Sequence, residues 1–295
     1  MCRLFGMSAG SERARATFWL LDAPDSLRAQ SHREPDGTGL GWFDSVGAPR
    51  VSKQPIAAYG DREFGREARE VISTTFVAHI RFASTGSPRA RNTHPFEQSG
   101  RLFAHNGVIE DLAALDAHLG EALELVRGDT DSERLFALIT REAAAHGGDV
   151  GAGIATACSW VAENLPVFAI NFVLASANGL WALRYPDTHD LFVLEREPGW
   201  RLEHTSSLGS RVSSEHTLSR PMVVLASERM DSEPGWRGLA SGELLHVSDT
   251  LEVSSRRILE KPPRRPLGLD DLSARARSSQ AHVAKTPSTN RARGG

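Results

Sequence analysis

Cysteine is scarce in this chain of 295 residues, which contains only Cys2 and Cys158. Two cysteines cannot form the disulfide framework that stabilises small secreted domains. The chain also lacks a long apolar run: its most apolar stretch, residues 166–185, is interrupted by two asparagines and a serine, whereas a membrane span needs about 20 apolar residues. The first residues lack the basic and then apolar pattern of a secretory signal. We therefore predict a soluble, cytoplasmic protein that does not associate with a membrane.

Charge is unevenly distributed along the chain. The total is 34 Lys and Arg against 37 Asp and Glu, but residues 261–295 hold eight Lys and Arg against two Asp. This segment is poor in large apolar residues and rich in Pro, Ser, Arg and Gly, which predicts a disordered basic tail. It is interpreted as a solubilising extension, or as an arm for nucleic acid or an acidic partner. The tail lacks interleaved aromatic residues and the rest of the chain is acidic, and both features argue against nucleic-acid binding.

Residues 1–260 contain no Pro/Gly/Ser-rich linker and are predicted to form one domain. Strand-like segments dominate the first 110 residues, and amphipathic helical spacing follows around residues 131–146. The part after residue 166 is again rich in strand-like segments. This order predicts an α+β fold with largely antiparallel sheets.

Cys2 directly follows the initiator methionine. Removal of Met1 would leave a thiol and a free α-amine on one residue, and an α-amine has a pKa of about 7.7–8.0, near working pH. Such an amine can take the thiol proton, directly or through a water, and so activate the sulfur as a nucleophile. The alternative is a small buried hydrophobe at the start of an edge strand. Cys158 lies on an apolar helix face and is predicted to pack in the core.

Three further clusters carry polar groups at element ends. Arg81 interrupts the apolar strand "TTFVAHIRFAS", where it could bind a substrate carboxylate in a two-pronged salt bridge or form an internal ion pair. Asn106 and Gly107, in "FAHNGVIED", could aim two donors at an oxyanion or make an ordinary turn. Asp131, in "GDTDSERLF", lies at a predicted helix start, where it could cap the helix or also meet a ligand ammonium.

Histidines suggest a metal site only weakly. His79, His94 and His105 lack the tight spacing of zinc ligands, and no second cysteine lies near any of them in the sequence. We predict no metal site and interpret these three residues as hydrogen-bonded structural histidines.

Together the clusters complement one kind of small molecule. Arg81 would bind an α-carboxylate, Asp131 an α-ammonium, and Asn106 with Gly107 a developing oxyanion while Cys2 attacks the carbonyl. A molecule with an amino-acid head and a side-chain amide is glutamine or another γ-glutamyl amide.

The ordered motifs Cys2, "HIRFASTG", "NTHPF", "FAHNGVI" and "TDSE" resemble the class II glutamine amidotransferases, which are N-terminal-nucleophile (Ntn) hydrolases. This resemblance implies a four-layer αββα sandwich with two stacked antiparallel sheets. It implies that Cys2 is the nucleophile, that its amine is the base and that Asn106 and Gly107 form the oxyanion hole. Carried over as substrate-binding residues are Arg81, Asp131, Arg33 of the loop "HREPDGTGLGW" and His79. No metal or organic cofactor is implied.

The opening "MCRLFG" departs from the Cys-Gly-Ile of the better-known biosynthetic members and resembles a smaller branch of stand-alone, type-2 amidotransferase-like proteins. Hydrolases of γ-glutamyl compounds are close to that branch, and "VVLASERMDSEPGW" extends the likeness to about residue 255. We predict hydrolysis of the glutamine side-chain amide through a Cys2 thioester, releasing glutamate and ammonia. The alternatives are a hydrolase of a γ-glutamyl peptide or thiol and a non-catalytic amino-acid-binding relative. No room remains for a synthase domain, so ammonia would pass to a separate partner protein or simply be released.

Overall fold

Two antiparallel sheets stack face to face in the computed structural model, which describes residues 2–82, 89–197, 203–205, 211–213 and 220–280. The first sheet contains, in spatial order, β13 (Arg237–Gly238), β9 (Phe192–Arg196), β12 (Met222–Ala226), β1 (Arg3–Ser8), β4 (Thr75–Arg81), β2 (Gly37–Phe43) and β3 (Pro49–Gln54). The second contains β15 (Val253–Arg257), β14 (Glu243–Ser248), β8 (Gly179–Arg184), β7 (Pro166–Ser176), β6 (Arg101–Ile109) and β5 (Phe96–Gln98), with β16 (Arg265–Pro266) beside β7. A separate pair consists of β10 (Glu203–Thr205) and β11 (Arg211–Ser213).

Helices cover the outer face of each sheet. The first sheet is covered by a π-helix (Phe18–Asp22), α1 (Leu27–Gln30) and α2 (Arg62–Glu70). The second is covered by α3 (Leu112–Leu119), α4 (Asp131–Ala145) and α5 (Val150–Asn164). Short 3-10 turns span Ala90–Asn92, Gly120–Leu125 and Leu269–Asp271, and α6 spans Ala274–Gln280. The layers are therefore helix, sheet, sheet and helix, and the predicted αββα sandwich is confirmed.

Strand β1 lies at the centre of the first sheet, between β12 and β4, and all six of its residues are buried. Side chains alternate along a strand, so Phe5 and Met7 pack under the outer helices while Leu4 packs between the sheets. The same alternation directs Cys2 into the space between the sheets. The nucleophile candidate is thus placed by the hydrophobic pattern of its own strand.

The glycines of β2 serve packing rather than ligand approach. Gly39 pairs with His79 of β4, and a methyl group on Gly39 would lie 1.9 Å from the carbonyl oxygen of His94. A methyl group on Gly41 would lie 2.9 Å from Pro95, and one on Gly37 would lie 3.2 Å from Thr93. The glycine-rich part of "HREPDGTGLGW", named above as a loop, is therefore a strand on which residues 93–95 lie directly.

Residues 261–280 do not form the predicted disordered tail. The hydroxyl of Tyr185 donates to the carbonyl of Lys261 (3.0 Å), β16 pairs with the start of β7, and Leu272 is buried. The segment is polar in overall composition, but it contains a few apolar residues that pack on the second sheet. Residues 281–295 lie outside the described residues. Among the helices that the structure describes, none is long and apolar enough to cross a membrane.

Candidate active site around Cys2

Cys2 lies at the edge of the inter-sheet space with only 7% of its surface exposed. Its thiol donates to the carbonyl of Phe82 at 3.2 Å, and the amide N–H of Phe82 donates to Sγ at the same distance. Burial raises the pKa of the thiol, and the nearby Glu34 carboxylate acts in the same direction, while the Phe82 hydrogen bond and Arg81 lower it. The resting sulfur is therefore a protonated thiol that needs a base to become a nucleophile.

Asn106 reaches Cys2 from the opposite sheet. It lies on β6, is 1% exposed, and its Nδ2 donates to the carbonyl oxygen of Cys2 at 2.9 Å. A side-chain amide carries two N–H donors. One of them fixes the amide beside the nucleophile, so the second can be offered to an oxyanion that forms there.

Gly107 is required by the close packing of β6 on β7. A methyl group at this position would lie 1.9 Å from the carbonyl oxygen of Ala169 and 2.7 Å from Nε2 of His105. A side chain is therefore excluded, and the bare backbone lines the pocket. Just after it, between Val108 and Ile109, the pairing with β7 shifts register.

Asp131 does not cap its own helix. The N-cap of α4 is Thr130, whose hydroxyl accepts from the amide of Glu133 at 3.2 Å, so the interpretation of Asp131 as the cap of this helix is wrong. The Asp131 carboxylate instead accepts from the amide of Ile109 at 2.9 Å. This bond uses a donor that the register shift in β6 makes accessible, and it holds a buried carboxylate at the pocket.

Arg81 ends β4 on the same pocket and is 3% exposed. Burial lowers the pKa of its guanidinium, whereas Cys2, Asp36 and Asp131 raise it. A cation and a carboxylate thus lie on one pocket beside the thiol, which is the arrangement that an amino-acid head requires.

Five of the seven predicted site residues come together. The described residues that line the pocket are Cys2, Arg81, Phe82, Asn92, His94, His105, Gly107, Thr130, Asp131 and Ser132, and Asn106 reaches Cys2 as given above. Sequence reasoning missed the contributions of Asn92, Thr130 and Ser132. Their only signal was that they belong to the motifs "NTHPF" and "TDSE".

His79 and Arg33, both predicted to bind substrate, are absent from the described lining of this pocket. His79 is fully buried on β4 and packs against the ring of His94, with ring centroids 4.2 Å apart. Burial lowers its pKa to about 3, so it is neutral. Arg33 is 44% exposed and pairs with Asp25 at 3.1 Å and Glu228 at 3.3 Å. Local sequence carried no signal for these placements, because strand pairing buries His79 and because Glu228, a partner of Arg33, lies 195 residues away along the chain.

Ser132 contacts a second lining residue, the buried His105. Its hydroxyl lies 2.9 Å from Nδ1 of His105, whose Nε2 lies 3.3 Å from the carbonyl oxygen of Ala169. Burial lowers the pKa of His105. Within the described residues no group of three or more His, Cys, Asp or Glu side chains is arranged to hold a metal ion.

The family model described as "Glutamine amidotransferases class-II" matches residues 1–265. The chain belongs to the class II glutamine amidotransferases. The resemblance drawn from the motifs is thereby confirmed, and the protein is an enzyme of a family that acts on amides.

Among curated relatives of this amidotransferase is the gamma-glutamyl-hercynylcysteine sulfoxide hydrolase of Mycobacterium tuberculosis (strain ATCC 25618 / H37Rv). It is 31% identical over 84% of this chain and 93% of its own length. The glutamine–fructose-6-phosphate aminotransferase of Gluconobacter oxydans is 29% identical over 39% of this chain and 19% of its own length.

Solved structures share the fold of this amidotransferase. The glutamine phosphoribosylpyrophosphate amidotransferase of B. subtilis aligns over 88% of this chain and 50% of that chain, with a TM-score of 0.63 and 19% identity. A glutamine aminotransferase class-II domain protein from Silicibacter pomeroyi aligns over 88% of this chain and 100% of that chain, with a TM-score of 0.57 and 20% identity. At these identities the comparison establishes the fold alone.

Proposed function

We propose that this amidotransferase hydrolyses the γ-amide bond of a γ-glutamyl conjugate, with Cys2 as its N-terminal nucleophile. The observation that carries the proposal is that the thiol of Cys2, the guanidinium of Arg81 and the carboxylate of Asp131 line one pocket, while the side-chain amide of Asn106 contacts the backbone of Cys2. The relative with 31% identity, a hydrolase of a γ-glutamyl compound, favours a conjugate over free glutamine.

Arg81 and Asp131 bind the amino-acid head in this proposal. The guanidinium binds the α-carboxylate in a charge-assisted pair, and the Asp131 carboxylate accepts from the α-ammonium. Because Asp131 is already oriented by the amide of Ile109, it loses little side-chain freedom when the substrate binds. The two contacts set the distance at which the γ-carbonyl lies over Cys2.

The base is the α-amine of Cys2, exposed once Met1 is removed. Burial raises the pKa of the thiol, so a preformed thiolate is disfavoured and proton transfer must accompany attack. An amine on the same residue, with a reference pKa of about 7.7–8.0, is matched to that task.

The reaction then proceeds in two balanced halves. The Cys2 sulfur adds to the γ-carbonyl carbon, the amine takes the thiol proton, and the resulting oxyanion accepts from Asn106 Nδ2 and the Gly107 amide. The C–N bond breaks as the α-ammonium of Cys2 returns that proton to the departing nitrogen. The product amine leaves, and the enzyme holds a γ-glutamyl thioester on Cys2. Water adds to the thioester, gives one proton back to the thiol, and releases glutamate. No external oxidant or reductant is required.

Free glutamine is the second candidate, because the family match itself is to glutamine amidotransferases. In that case the departing amine is ammonia, which is either released or passed to a partner protein. The head contacts and the chemistry at Cys2 are the same for both candidates, and only the group beyond the amide nitrogen differs.

The test is to incubate purified protein with glutamine and a panel of γ-glutamyl amides and to measure glutamate. A glutamine-shaped electrophile, 6-diazo-5-oxo-norleucine, is used in parallel, with intact mass and peptide mapping. We expect hydrolysis of at least one conjugate and a single adduct on a Cys2 that carries a free amine. Cys2→Ala should lose both glutamate production and the adduct, whereas Cys158→Ala, on the core face of α5, should keep both. Glutamate production that survives Cys2→Ala, or no turnover of any γ-glutamyl amide, would refute the proposal.

A further inference from the structure

A groove of about 360 Å³ opens at one edge of the sandwich and is distinct from the Cys2 pocket. It lies between β3, the edge strand of the first sheet, and β5, the edge strand of the second. Its described lining shares no residue with that of the Cys2 pocket. Apolar and charged side chains both line the groove, so it suits a small molecule that has an apolar part and a charged group.

Lys53 lies on the wall of this groove. Strand alternation along β3 places Pro49, Val51 and Lys53 on one face, and Val51 packs against the core between the sheets. Lys53 is therefore turned towards the interior and is only partly exposed. Its Nζ donates to the carbonyl of Pro95 at 3.2 Å and lies 4.9 Å from the centre of the Phe96 ring. These two contacts hold the amine in the groove.

The amine of Lys53 has spare hydrogen-bonding capacity and no ion-pair partner in the part of the chain that the structure describes. An ammonium has three N–H donors, and among the described residues the Pro95 carbonyl is the one acceptor bonded to Nζ. Burial without a paired carboxylate favours the neutral form of an amine. Burial accordingly lowers the pKa of Lys53 to about 8, and Arg127 acts in the same direction while Glu133 opposes it. A neutral lysine amine is a nucleophile.

Two arginines supply positive charge beside Lys53. Arg91 is exposed and pairs with Asp129 at 3.2 Å. Arg127 is exposed and forms neither a hydrogen bond nor an ion pair with any other residue in the described ranges. Its guanidinium can therefore bind a phosphate or carboxylate group without breaking an existing contact.

Two carboxylates also line the groove, and both are held by backbone amides. Glu133 is 5% exposed and accepts from the amide of Gly128 at 2.6 Å, and the exposed Glu97 accepts from the amide of Gly100 at 3.3 Å. Because Lys53 and two arginines stand against these two carboxylates, the lining carries more positive than negative charge. A ligand with a negatively charged group is therefore favoured.

Lysine is rare in this chain. Of the 34 Lys and Arg residues only three are lysines: Lys53, Lys261 and Lys285. Lys53 is the one lysine in residues 1–260. Acyl donors react with a neutral amine, whereas the guanidinium of an arginine stays protonated. Lys53 is therefore the one side-chain amine in the sandwich that an acyl donor can modify.

We propose that Lys53 is a modification site, acylated by small acyl phosphates that bind in this groove. The neutral amine adds to the carbonyl carbon, the bond from that carbon to the phosphate oxygen breaks, and the amine proton leaves on the phosphate. The products are an amide on Nζ and inorganic phosphate. Arg127 binds the phosphate group, while the acyl chain lies against Pro49, Val51 and Pro95. This modification is independent of the hydrolysis proposed at Cys2.

The test incubates the full chain at pH 7.5 with acetyl phosphate and, in parallel, with N-acetoxysuccinimide, an acetyl donor without a phosphate. Peptide mapping by mass spectrometry gives the acetylation rates of Lys53 and the exposed Lys261 in the same sample. At this pH about a quarter of Lys53 is neutral, against about 0.1% of an ordinary lysine with a pKa of about 10.4. Because nucleophilicity falls with pKa, as it does for thiols, we expect acetyl phosphate to modify Lys53 about fivefold faster than Lys261, or more.

Variants separate phosphate binding from reactivity alone. Arg127→Gln should slow acetylation of Lys53 by acetyl phosphate about three- to tenfold, and that by N-acetoxysuccinimide less than about twofold. The matched control Arg62→Gln, exposed on α2, should change neither rate. Lys53→Arg should remove the adduct at position 53 and leave the adduct at Lys261.

Two results would overturn the proposal. One is acetylation of Lys53 by acetyl phosphate that is no faster than that of Lys261. The other is an Arg127→Gln variant that reacts with acetyl phosphate as fast as wild type, or that slows equally with both reagents. Neither result bears on glutamate production at Cys2, so failure here is distinguishable from failure of the proposed function.

Discussion

The side-chain amide of Asn106 donates a 2.9 Å hydrogen bond to the carbonyl oxygen of Cys2, joining the two sheets across 104 residues of chain. The bond ties the nucleophile's own backbone to the group proposed to stabilise the oxyanion. Any movement of one sheet against the other would separate them. Attack and charge stabilisation therefore depend on the packing of the whole sandwich.

Replacing Asn106 by Ala should lower kcat by about 100- to 1,000-fold, the usual effect of removing one oxyanion donor. KM should change little, because the amide contacts the oxyanion and not the ground-state head. Steady-state kinetics on the best γ-glutamyl substrate measure both. The control is Asn164→Ala at the exposed end of α5. A variant whose loss appears in KM alone would contradict the oxyanion role.

Replacing Asp131 by Asn should lower kcat/KM by about 10- to 100-fold, because the ammonium of the substrate loses its charged acceptor. The fold should persist, since an Asn oxygen can still accept from the amide of Ile109. Thermal unfolding checks the fold, and a substrate without the α-amino group checks the contact. Wild type and variant should cleave that deamino compound at similar rates. Asp129→Asn, at an exposed neighbouring position, is the matched control. If Asp131→Asn lost as much kcat/KM on the deamino compound as on the full substrate, the ammonium contact would be contradicted.

Replacing Gly107 by Ala should prevent normal folding or abolish activity, because the added methyl would lie 1.9 Å from the Ala169 carbonyl oxygen. Relieving that overlap requires β6 and β7 to separate, which costs about 1–3 kcal/mol or more. Circular dichroism melts and yields of soluble protein measure the effect. Gly60→Ala has no neighbour nearer than 3.7 Å and should shift the free energy of unfolding by less than about 0.5 kcal/mol. A stable, active Gly107→Ala would contradict the geometry.

Stability should fall as pH drops below about 6.5, because buried histidines must stay neutral in the folded state. Burial lowers the pKa of His79 to about 3, so between pH 6.5 and 3 the unfolded chain binds a proton that the folded chain does not. His79 alone should therefore cost about 2 kcal/mol of unfolding free energy on going from pH 6.5 to 5. Burial also lowers the pKa values of His94 and His105, which steepens the same trend.

Urea unfolding at pH 7.5, 6.5 and 5.0 measures this slope. His79→Gln should reduce the change of unfolding free energy with pH by about 1.4 kcal/mol per pH unit, which corresponds to one proton bound on unfolding. His146→Gln, exposed after α4, should leave it unchanged. A wild type equally stable at pH 7.5 and 5.0 would show that these imidazoles are not held neutral.

Replacing Leu272 by Ala should release the C-terminal segment, because the deletion of a buried leucine costs about 2–5 kcal/mol and few other buried side chains hold α6. Trypsin should then cut after Arg275 or Arg277 much faster than in wild type, while the main thermal transition of the sandwich changes little. Leu267→Ala, only partly buried, is the milder comparison. Unchanged proteolysis would mean that the segment is held by other contacts.

The sequence by itself determined the family and the fold class. The cysteine at position 2, an arginine in an apolar strand and an Asn-Gly within a strand could be recognised from short segments, because side-chain chemistry and strand alternation are local properties. The five residues of the candidate site that converge were all predicted in this way, and the ordered motifs were sufficient to indicate two antiparallel sheets.

Only the tertiary structure decided which groups meet. Asp131 binds the amide of Ile109, and the glycines of β2 pack on residues 93–95; both depend on strand register and on a shift in pairing that no local pattern reports. Strand register also determines that His79 packs against His94, and contacts between distant segments determine that the polar residues 261–280 pack on the second sheet. Composition describes what a segment contains, whereas contacts with strands more than 100 residues away decide whether it folds there.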